Sequence, residues 1–150
     1  GKKVYPVMFE QIGSFNQTGL TAVMRYQKWG YANESVKLKI NYKYQYAGDF
    51  EFGLAKVKVK DKYGIINNDG KFVVPAEYDE MDDFEQNLLR VKKDGFYGLI
   101  NRNNEVVLSV KYEKIEEITE TLILLQSNEK QAYYNLNDNS FVFIEAGFNL

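Results

Sequence analysis

The residues with the clearest potential for chemistry are two charged groups in the middle of the chain. The segment from Glu77 to Glu85 holds six acidic residues and no basic one, and Asp82 and Asp83 lie at its centre. Basic residues alternate before this segment and recur 34 residues later; they are Lys56, Lys58, Lys60, Arg90 and Lys92. A basic stripe beside an acidic loop predicts two surfaces of opposite charge, which are either solvated or bound by a partner.

Paired carboxylates also raise the question of catalysis, because glycosidases use two of them on either side of a cleft. Asp82 and Asp83 recur 34 residues later as Glu116 and Glu117. These acids fall in segments that we expect to be exposed loops, where their pKa values would not be separated into those of an acid and a base. The chain has no His and no Cys, which removes the usual general base and the thiolate metal ligands. We therefore expect a non-enzymatic protein without a cofactor or a metal site.

Composition narrows the range of partners. The net charge of −2 disfavours nucleic acid, whose binding proteins usually carry a basic patch. No apolar run approaches the ~20 residues that a membrane-spanning helix needs. The sequence begins Gly1-Lys2-Lys3 without Met, as it would after removal of an N-terminal export segment. These features disfavour nucleic acid as a partner and fit an exported protein, and they leave the oligomeric state open.

A repeat with a period of 34 residues predicts the strands and turns that position the charged residues. The central copy, 53–86, is the most complete. In the last copy we place two extra residues before the second strand, so that Tyr134 stands where the other copies have Gly. The whole chain is expected to form one repeat domain, with a partial repeat at 1–18 and full repeats at 19–52, 53–86, 87–120 and 121–150.

Within the central copy, apolar and basic residues alternate from Leu54 to Lys60, which is the pattern of a half-buried strand. A tight turn at Asp61-Lys62 leads to a second strand that is apolar on both faces. Asn68-Asp69-Gly70 is a hairpin signal, since Gly adopts positive φ freely. A third strand then returns antiparallel and ends near Pro75, which cannot donate to a ladder. Each repeat is thus predicted to be a three-stranded antiparallel unit.

The number of copies favours one all-β architecture over another. Four copies follow an additional third strand, whereas a closed ring needs a whole number of units. The repeat is also shorter than the about 40 residues of a propeller blade. We therefore predict an open curved array, with a small closed β-propeller-like ring as the alternative.

The copies resemble a known bacterial family. Lys28-Trp29-Gly30 is in register with Lys62-Tyr63-Gly64 and Phe96-Tyr97-Gly98, which is similar to the signature of the WG (or KWG) repeat. The central copy carries the fullest match, through Gly53-Leu54-Ala55, Tyr63-Gly64, Ile66-Asn67, Gly70, Pro75 and Tyr78-Asp79. The resemblance implies a β-rich repeat region, often found in proteins of the bacterial envelope and considered a non-catalytic interaction module. It supplies no catalytic residue.

Two recurring features have a structural and a binding interpretation. The aromatic residues Trp29, Tyr63 and Tyr97 are expected to fill the core between units, while Gly30, Gly64 and Gly98 leave room for a neighbouring copy; the alternative is ligand stacking. One polar position precedes the hairpin turn in every copy, and its side chain either bonds the turn backbone or contacts a polar ligand. We assign it to Asn33, Asn67, Asn101 and Asn137.

These observations lead to one functional expectation and one alternative. We expect a scaffold module that binds another protein at the bacterial envelope or surface through the charged surfaces described above. The alternative is a carbohydrate-binding module that uses exposed tyrosines as stacking platforms, namely Tyr42, Tyr44, Tyr46, Tyr78 and Tyr112.

Overall fold

The computed structural model describes residues 9–13 and 19–150. The expected start of the partial repeat, at 1–8, and the segment 14–18 lie outside the described residues. The chain divides into two compact units, Gly1–Glu77 and Tyr78–Leu150. Each unit contains two open four-stranded antiparallel sheets whose strands follow one another in chain order, and none of the sheets closes into a barrel. In the part of the chain that is described, no helix is long and apolar enough to cross a membrane.

The first unit contains sheets 1 and 2. Sheet 1 is formed by β1 (Gln11–Ile12), β2 (Leu20–Arg25), β3 (Lys28–Asn33) and β4 (Leu38–Tyr44). Sheet 2 is formed by β5 (Tyr46–Ala47), β6 (Leu54–Val59), β7 (Lys62–Asn67) and β8 (Phe72–Tyr78).

The second unit contains sheets 3 and 4. Sheet 3 is formed by β9 (Glu80–Phe84), β10 (Leu88–Lys93), β11 (Phe96–Ile100) and β12 (Val106–Tyr112), with a 3-10 turn at Glu85–Asn87. Sheet 4 is formed by β13 (Lys114–Glu117), β14 (Leu122–Ser127), β15 (Lys130–Asn135) and β16 (Ser140–Ile144).

The predicted all-β class and the tandem antiparallel repeats are confirmed, with one addition. Each repeat supplies the three expected strands, and a short fourth strand that we assigned to a loop completes each sheet at its edge. Pro75 does not end its strand, because β8 continues to Tyr78. β8 lies at the edge of its sheet, where a residue without an N–H group is tolerated.

A two-residue turn joins the two central strands of every sheet, and both of its residues have positive φ. That combination defines a type I′ turn, whose twist matches the twist of the flanking strands. In the central copy the turn residues are Lys60 and Asp61, one position earlier than expected, because Val59 pairs with Lys62. The equivalent turns are Tyr26-Gln27, Asp94-Gly95 and Asn128-Glu129.

The side chain just before each edge strand bonds this turn. Asp79 Oδ2 accepts from Asp94 N at 3.2 Å, and Glu113 Oε1 accepts from Asn128 N at 2.7 Å. Gln45 Oε1 accepts from Asp61 N at 2.6 Å. Glu10 takes the same role in sheet 1, where its carboxylate accepts from the backbone of the Tyr26-Gln27 turn. The acceptors compensate part of the cost of left-handed backbone in residues that are not glycine.

The second hairpin of each sheet is organised by an asparagine, as predicted. Asn67 Oδ1 accepts from Asp69 N and Lys71 N, both at 3.0 Å, and Gly70 has φ +79°. Asn33 and Asn101 make the same pair of bonds in their repeats.

The fourth member of this asparagine series was predicted wrongly. It is Asn135, whose Oδ1 accepts from Asn137 N at 2.8 Å, and not Asn137 itself. Leu122 pairs with Asn135 as Leu54 pairs with Asn67, so the last repeat has no insertion before its second strand. Consequently Ala132, and not Tyr134, occupies the glycine position.

The recurring glycine makes room for a strand of its own sheet, and not for a neighbouring copy as expected. A methyl group on Gly64 would lie 2.6 Å from the Val74 oxygen and 2.8 Å from the Ala76 nitrogen, both in β8. In the equivalent strand pairs β3–β4 and β11–β12, the register shifts at this position. In sheet 4, Ala132 pairs directly with Ile144, and a side chain is accommodated.

Each unit has its own apolar core. In the first unit, Tyr31, Tyr44 and Phe50 pack with Val57 and other apolar side chains of sheet 2. The centroids of the Tyr31 and Phe50 rings are 4.7 Å apart, and the Tyr31 hydroxyl donates to the Gly48 oxygen at 2.6 Å. The hydroxyl of Tyr44, in contrast, is buried and has no hydrogen-bond partner among the described residues.

The close approach at Gly64 predicts a specific loss of stability. We expect Gly64→Ala to lower the free energy of unfolding by about 2 kcal/mol, because the added methyl would overlap backbone atoms that cannot rotate away. The matched control, Ala132→Gly, should cost no more than about 1 kcal/mol. Urea denaturation of both variants measures the difference, and a Gly64→Ala protein as stable as the parent would contradict the predicted overlap.

The two buried tyrosines of the first core predict opposite responses to loss of a hydroxyl. Tyr31→Phe should destabilise by about 1 to 2 kcal/mol, since it leaves the Gly48 oxygen without its donor. Tyr44→Phe should be neutral or stabilising, because the hydroxyl that it removes is buried without a partner. The denaturation midpoints of the two variants measure the difference. Equal losses of stability in both variants would show that the hydrogen bond of Tyr31 contributes nothing specific.

Alkaline pH should destabilise the fold through the same residues. Burial raises the pKa of Tyr31 far above its ordinary value of 10.0, and burial also raises the pKa values of Tyr44 and Tyr112. Below about pH 10 these phenols are neutral in both states; above it they ionise in the unfolded chain first, so stability falls as pH rises. We expect a smaller fall for Tyr31→Phe between about pH 9 and about pH 11. Parallel pH profiles for the variant and the parent would refute this assignment.

Candidate functional site

The predicted basic stripe lies on one face of sheet 2. Alternation along β6 turns Ala55 and Val57 into the core, so Lys56 and Lys58 take the other face. Lys58 is directly opposite Tyr63 on β7 and Tyr46 on β5. We call Tyr46, Lys56, Lys58 and Tyr63 the Lys–Tyr surface.

Cations lie over aromatic rings throughout the Lys–Tyr surface. The Lys58 Nζ atom is 5.1 Å from the centre of the Tyr63 ring. Lys56 Nζ lies 5.4 Å from the centre of the same ring and 5.6 Å from that of Tyr46. The two tyrosine rings meet edge to face, with centroids 6.2 Å apart. Tyr46 is 43% exposed, so the cluster is accessible from solvent.

Lys60 is not part of this stripe. It is the first residue of the type I′ turn, with φ +49°, and β6 ends one residue before it. The alternation of the sequence continues to Lys60, but the chain has already left the strand there. The turn geometry thus separates Lys60 from Lys56 and Lys58.

The expected basic continuation in sheet 3 is neutralised by the acidic segment. Asp82 and Asp83 are on strand β9, and not in a loop as predicted, and β9 pairs with β10. Arg90 Nη2 lies 3.8 Å from Asp82 Oδ2. Lys92 Nζ lies 3.8 Å from Glu80 Oε2 in the same way. The two predicted surfaces of opposite charge are therefore one internally paired surface in this sheet.

Two further contacts give these residues structural roles. Arg102 Nη2 is 2.8 Å from Asp83 Oδ1, and this ion pair links the edge strand to the second hairpin. Arg90 Nη1 donates to the Ile115 oxygen at 2.8 Å, which connects sheet 3 to sheet 4. The guanidinium carbon of Arg90 also lies 5.6 Å from the centre of the Tyr97 ring. Among the predicted binding residues, Arg90, Lys92, Asp82 and Asp83 are thus engaged inside the second unit.

The signature aromatic residues combine packing with a more exposed role. Trp29 and Tyr97 are half-buried against the apolar cores of their units, which agrees with the expected packing. Tyr63 and Tyr97 also carry a lysine ammonium group over the ring, Lys58 in one sheet and Lys92 in the other. The Tyr97 ring therefore contacts the apolar core and a surface lysine at the same time.

The row of exposed tyrosines expected for carbohydrate binding does not form. Tyr44, Tyr78 and Tyr112 are buried, with 0%, 6% and 3% of their surface exposed, because each ends a strand on the core side. Tyr42 is half-buried, and its ring meets Tyr26 edge-on at an interplanar angle of 88°. Of the five residues proposed, Tyr46 is the exposed one.

Sequence reasoning missed the two most exposed aromatic side chains among the residues that the structure describes. Tyr26 is 69% exposed, and Phe52 is 101% exposed. Both have positive φ at the first position of a two-residue turn, and Gly53 follows Phe52 with φ +79°. The signal that could have found Phe52 is its position before Gly53, where a turn directs the side chain into solvent, whereas Tyr26 precedes Gln27 and carries no such signal.

The paired carboxylates do not converge on a common point. Asp82 and Asp83 follow one another on β9, and Glu116 and Glu117 do so on β13, so each pair points to opposite faces of its sheet. In residues 9–13 and 19–150, no group of three or more acidic side chains could hold a metal ion.

Comparison with known proteins agrees with the repeat architecture. No curated protein matches the chain. The family model described as "WG containing repeat" matches three consecutive segments, at residues 29–63, 63–95 and 97–130, which together cover more than half of the sequence. The three matches begin at the aromatic residues Trp29, Tyr63 and Tyr97, each of which directly precedes a glycine. On this evidence the chain belongs to the family of WG-containing repeat proteins.

Proposed function

We propose that this chain is a non-catalytic module that binds another protein at the Lys–Tyr surface. The observation that carries the proposal is the arrangement of Lys56 and Lys58 over the rings of Tyr46 and Tyr63 on a partly exposed sheet. At the position of sheet 3 that is equivalent to Lys58, the Lys92 ammonium group lies 3.8 Å from the Glu80 carboxylate of its own sheet. Sheet 2 therefore differs from sheet 3 where a partner would make contact.

The chemistry of this surface suits a protein partner. Tyrosine is enriched among the residues that dominate protein–protein binding energy, because its rigid ring supplies apolar area and its hydroxyl supplies a hydrogen bond. Lysine heads at the rim steer association with a partner of opposite charge. Tyr46 offers exposed area, and Lys58 offers a charge held in place by Tyr63.

The place of action that we propose is outside the bacterial cytoplasm, at the envelope or cell surface. The support is the resemblance to repeats that are often found in envelope proteins. Fractionation of the source cells, followed by detection of the protein in periplasmic, membrane and cytoplasmic fractions, tests this part separately.

Charge reversal tests the binding surface. We expect Lys56→Glu/Lys58→Glu to lower the melting temperature by about 2 to 8 °C, since each lysine lost from its ring costs about 0.5 to 1 kcal/mol at an exposed site and each kcal/mol is worth about 2 to 4 °C in a chain of this size. Capture of the partner should fall strongly, because repulsion replaces attraction. The partner would be identified by pull-down from the source organism and then re-tested with purified protein.

The matched control makes the same change of charge elsewhere in the first unit. Lys37→Glu/Lys39→Glu alters two exposed lysines at the start of β4 and should leave capture unchanged. Capture by the Lys56→Glu/Lys58→Glu protein that equals the parent's would rule out the Lys–Tyr surface as the binding site.

A further inference from the structure

We propose that the Lys–Tyr surface binds an acidic side chain of its protein partner, whose carboxylate pairs with Lys58 as the Glu80 carboxylate pairs with Lys92 in sheet 3. This inference rests on the proposed function and adds the chemistry of the partner. It follows from comparing two sheets that share one framework and carry different residues at two edge-strand positions beside the basic side chains.

The two sheets align residue by residue. Lys58 is opposite Tyr63, as Lys92 is opposite Tyr97. The ammonium groups lie at nearly the same distance from the ring centres, 5.1 Å for Lys58 and 5.2 Å for Lys92. The cationic half of the site is thus built in the same way in both sheets.

Sheet 3 shows which acceptor this arrangement takes. The Glu80 carboxylate lies 3.8 Å from Lys92 Nζ and accepts from the Tyr97 hydroxyl at 3.4 Å. One carboxylate therefore contacts both the lysine and the tyrosine. Neighbouring Asp82 supplies a second carboxylate to the next basic residue, Arg90.

Sheet 2 has other residues at the two edge-strand positions where sheet 3 has these carboxylates. Tyr46 pairs with Lys58 where Glu80 pairs with Lys92, and Gly48 stands where Asp82 stands. Within the described part of the chain, no carboxylate forms an ion pair with Lys58. An ammonium group has three donors and a ring face satisfies none of them fully, so Lys58 keeps donors that an anionic acceptor from outside can take.

An acidic polypeptide fits this site better than a polyanion such as a nucleic acid. The acceptor in sheet 3 is a single carboxylate between Lys92 and Tyr97, and the chain as a whole carries a net charge of −2. A partner with isolated Glu or Asp side chains can bind locally without a large basic field. Tyr46, which is 43% exposed, would pack against the aliphatic part of the same segment.

The test installs the missing carboxylate in the protein itself. The probe is a fluorescent deca-glutamate peptide at low ionic strength, where exposed charges are least screened. Tyr46→Glu should occupy Lys58 internally and weaken binding of the probe about threefold or more, the effect expected for one exposed ion pair. Lys58→Gln should weaken it to a similar extent, and Lys39→Gln should leave it unchanged.

A reciprocal variant tests the inference through a gain of binding instead of a loss. Glu80→Tyr removes the internal carboxylate of sheet 3 and should create a second binding event for the same probe. Melting curves confirm that each variant is folded, so a gain in Glu80→Tyr supports the inference even if Tyr46→Glu is unstable.

Several outcomes would overturn the inference. They are equal binding of deca-glutamine and deca-glutamate, binding of deca-glutamate that survives Tyr46→Glu and Lys58→Gln, and preference for inorganic polyphosphate over the peptide. If deca-glutamate does not bind but partner capture still depends on Lys56 and Lys58, the acidic chemistry fails and the proposed function stands. If neither occurs, both fail.

Discussion

Every sheet depends on a two-residue turn whose left-handed backbone is unfavourable for half of the residues that form it. Both positions need left-handed backbone, yet of the eight turn residues only Gly95 is a glycine. Such a conformation costs roughly 1 kcal/mol or more for each ordinary residue. An acceptor from just before the edge strand bonds each turn, as Asp79 and Glu113 do. This bond fixes the hairpin and at the same time anchors the strand that follows the acceptor.

The same constraint explains why a tyrosine and a polar residue stand side by side at the end of β4, β8 and β12. Tyr78 and Tyr112 are buried, while their neighbours Asp79 and Glu113 reach the next turn. The edge strand that begins after this pair is short and free to vary, because its backbone position is already set. The framework is therefore constant, and the side chains of the edge strands give each sheet its surface: carboxylates in sheet 3, and Tyr46 with Gly48 in sheet 2.

Much of the framework was predictable, since its signals are local. The asparagine before the second hairpin and Gly70 at positive φ act within a few residues, and both were assigned correctly in the central copy. The last repeat was misaligned because Ala132 replaces the glycine that served as a marker. Its register is decided by pairing with β14 and β16, which no local pattern reports.

The sequence by itself determined the repeat, the strand alternation and the hairpin turns, because these depend on residues that are near one another along the chain. Only the tertiary structure decided which side chains are exposed and which charges are paired. Tyr44 and Tyr46 are two residues apart, yet one is buried and the other exposed, since the chain passes from sheet 1 to sheet 2 between them. Asp82 and Arg90 looked like parts of two separate surfaces until strand register placed them opposite each other. Pairing across strands depends on register, and register is set by the fold as a whole.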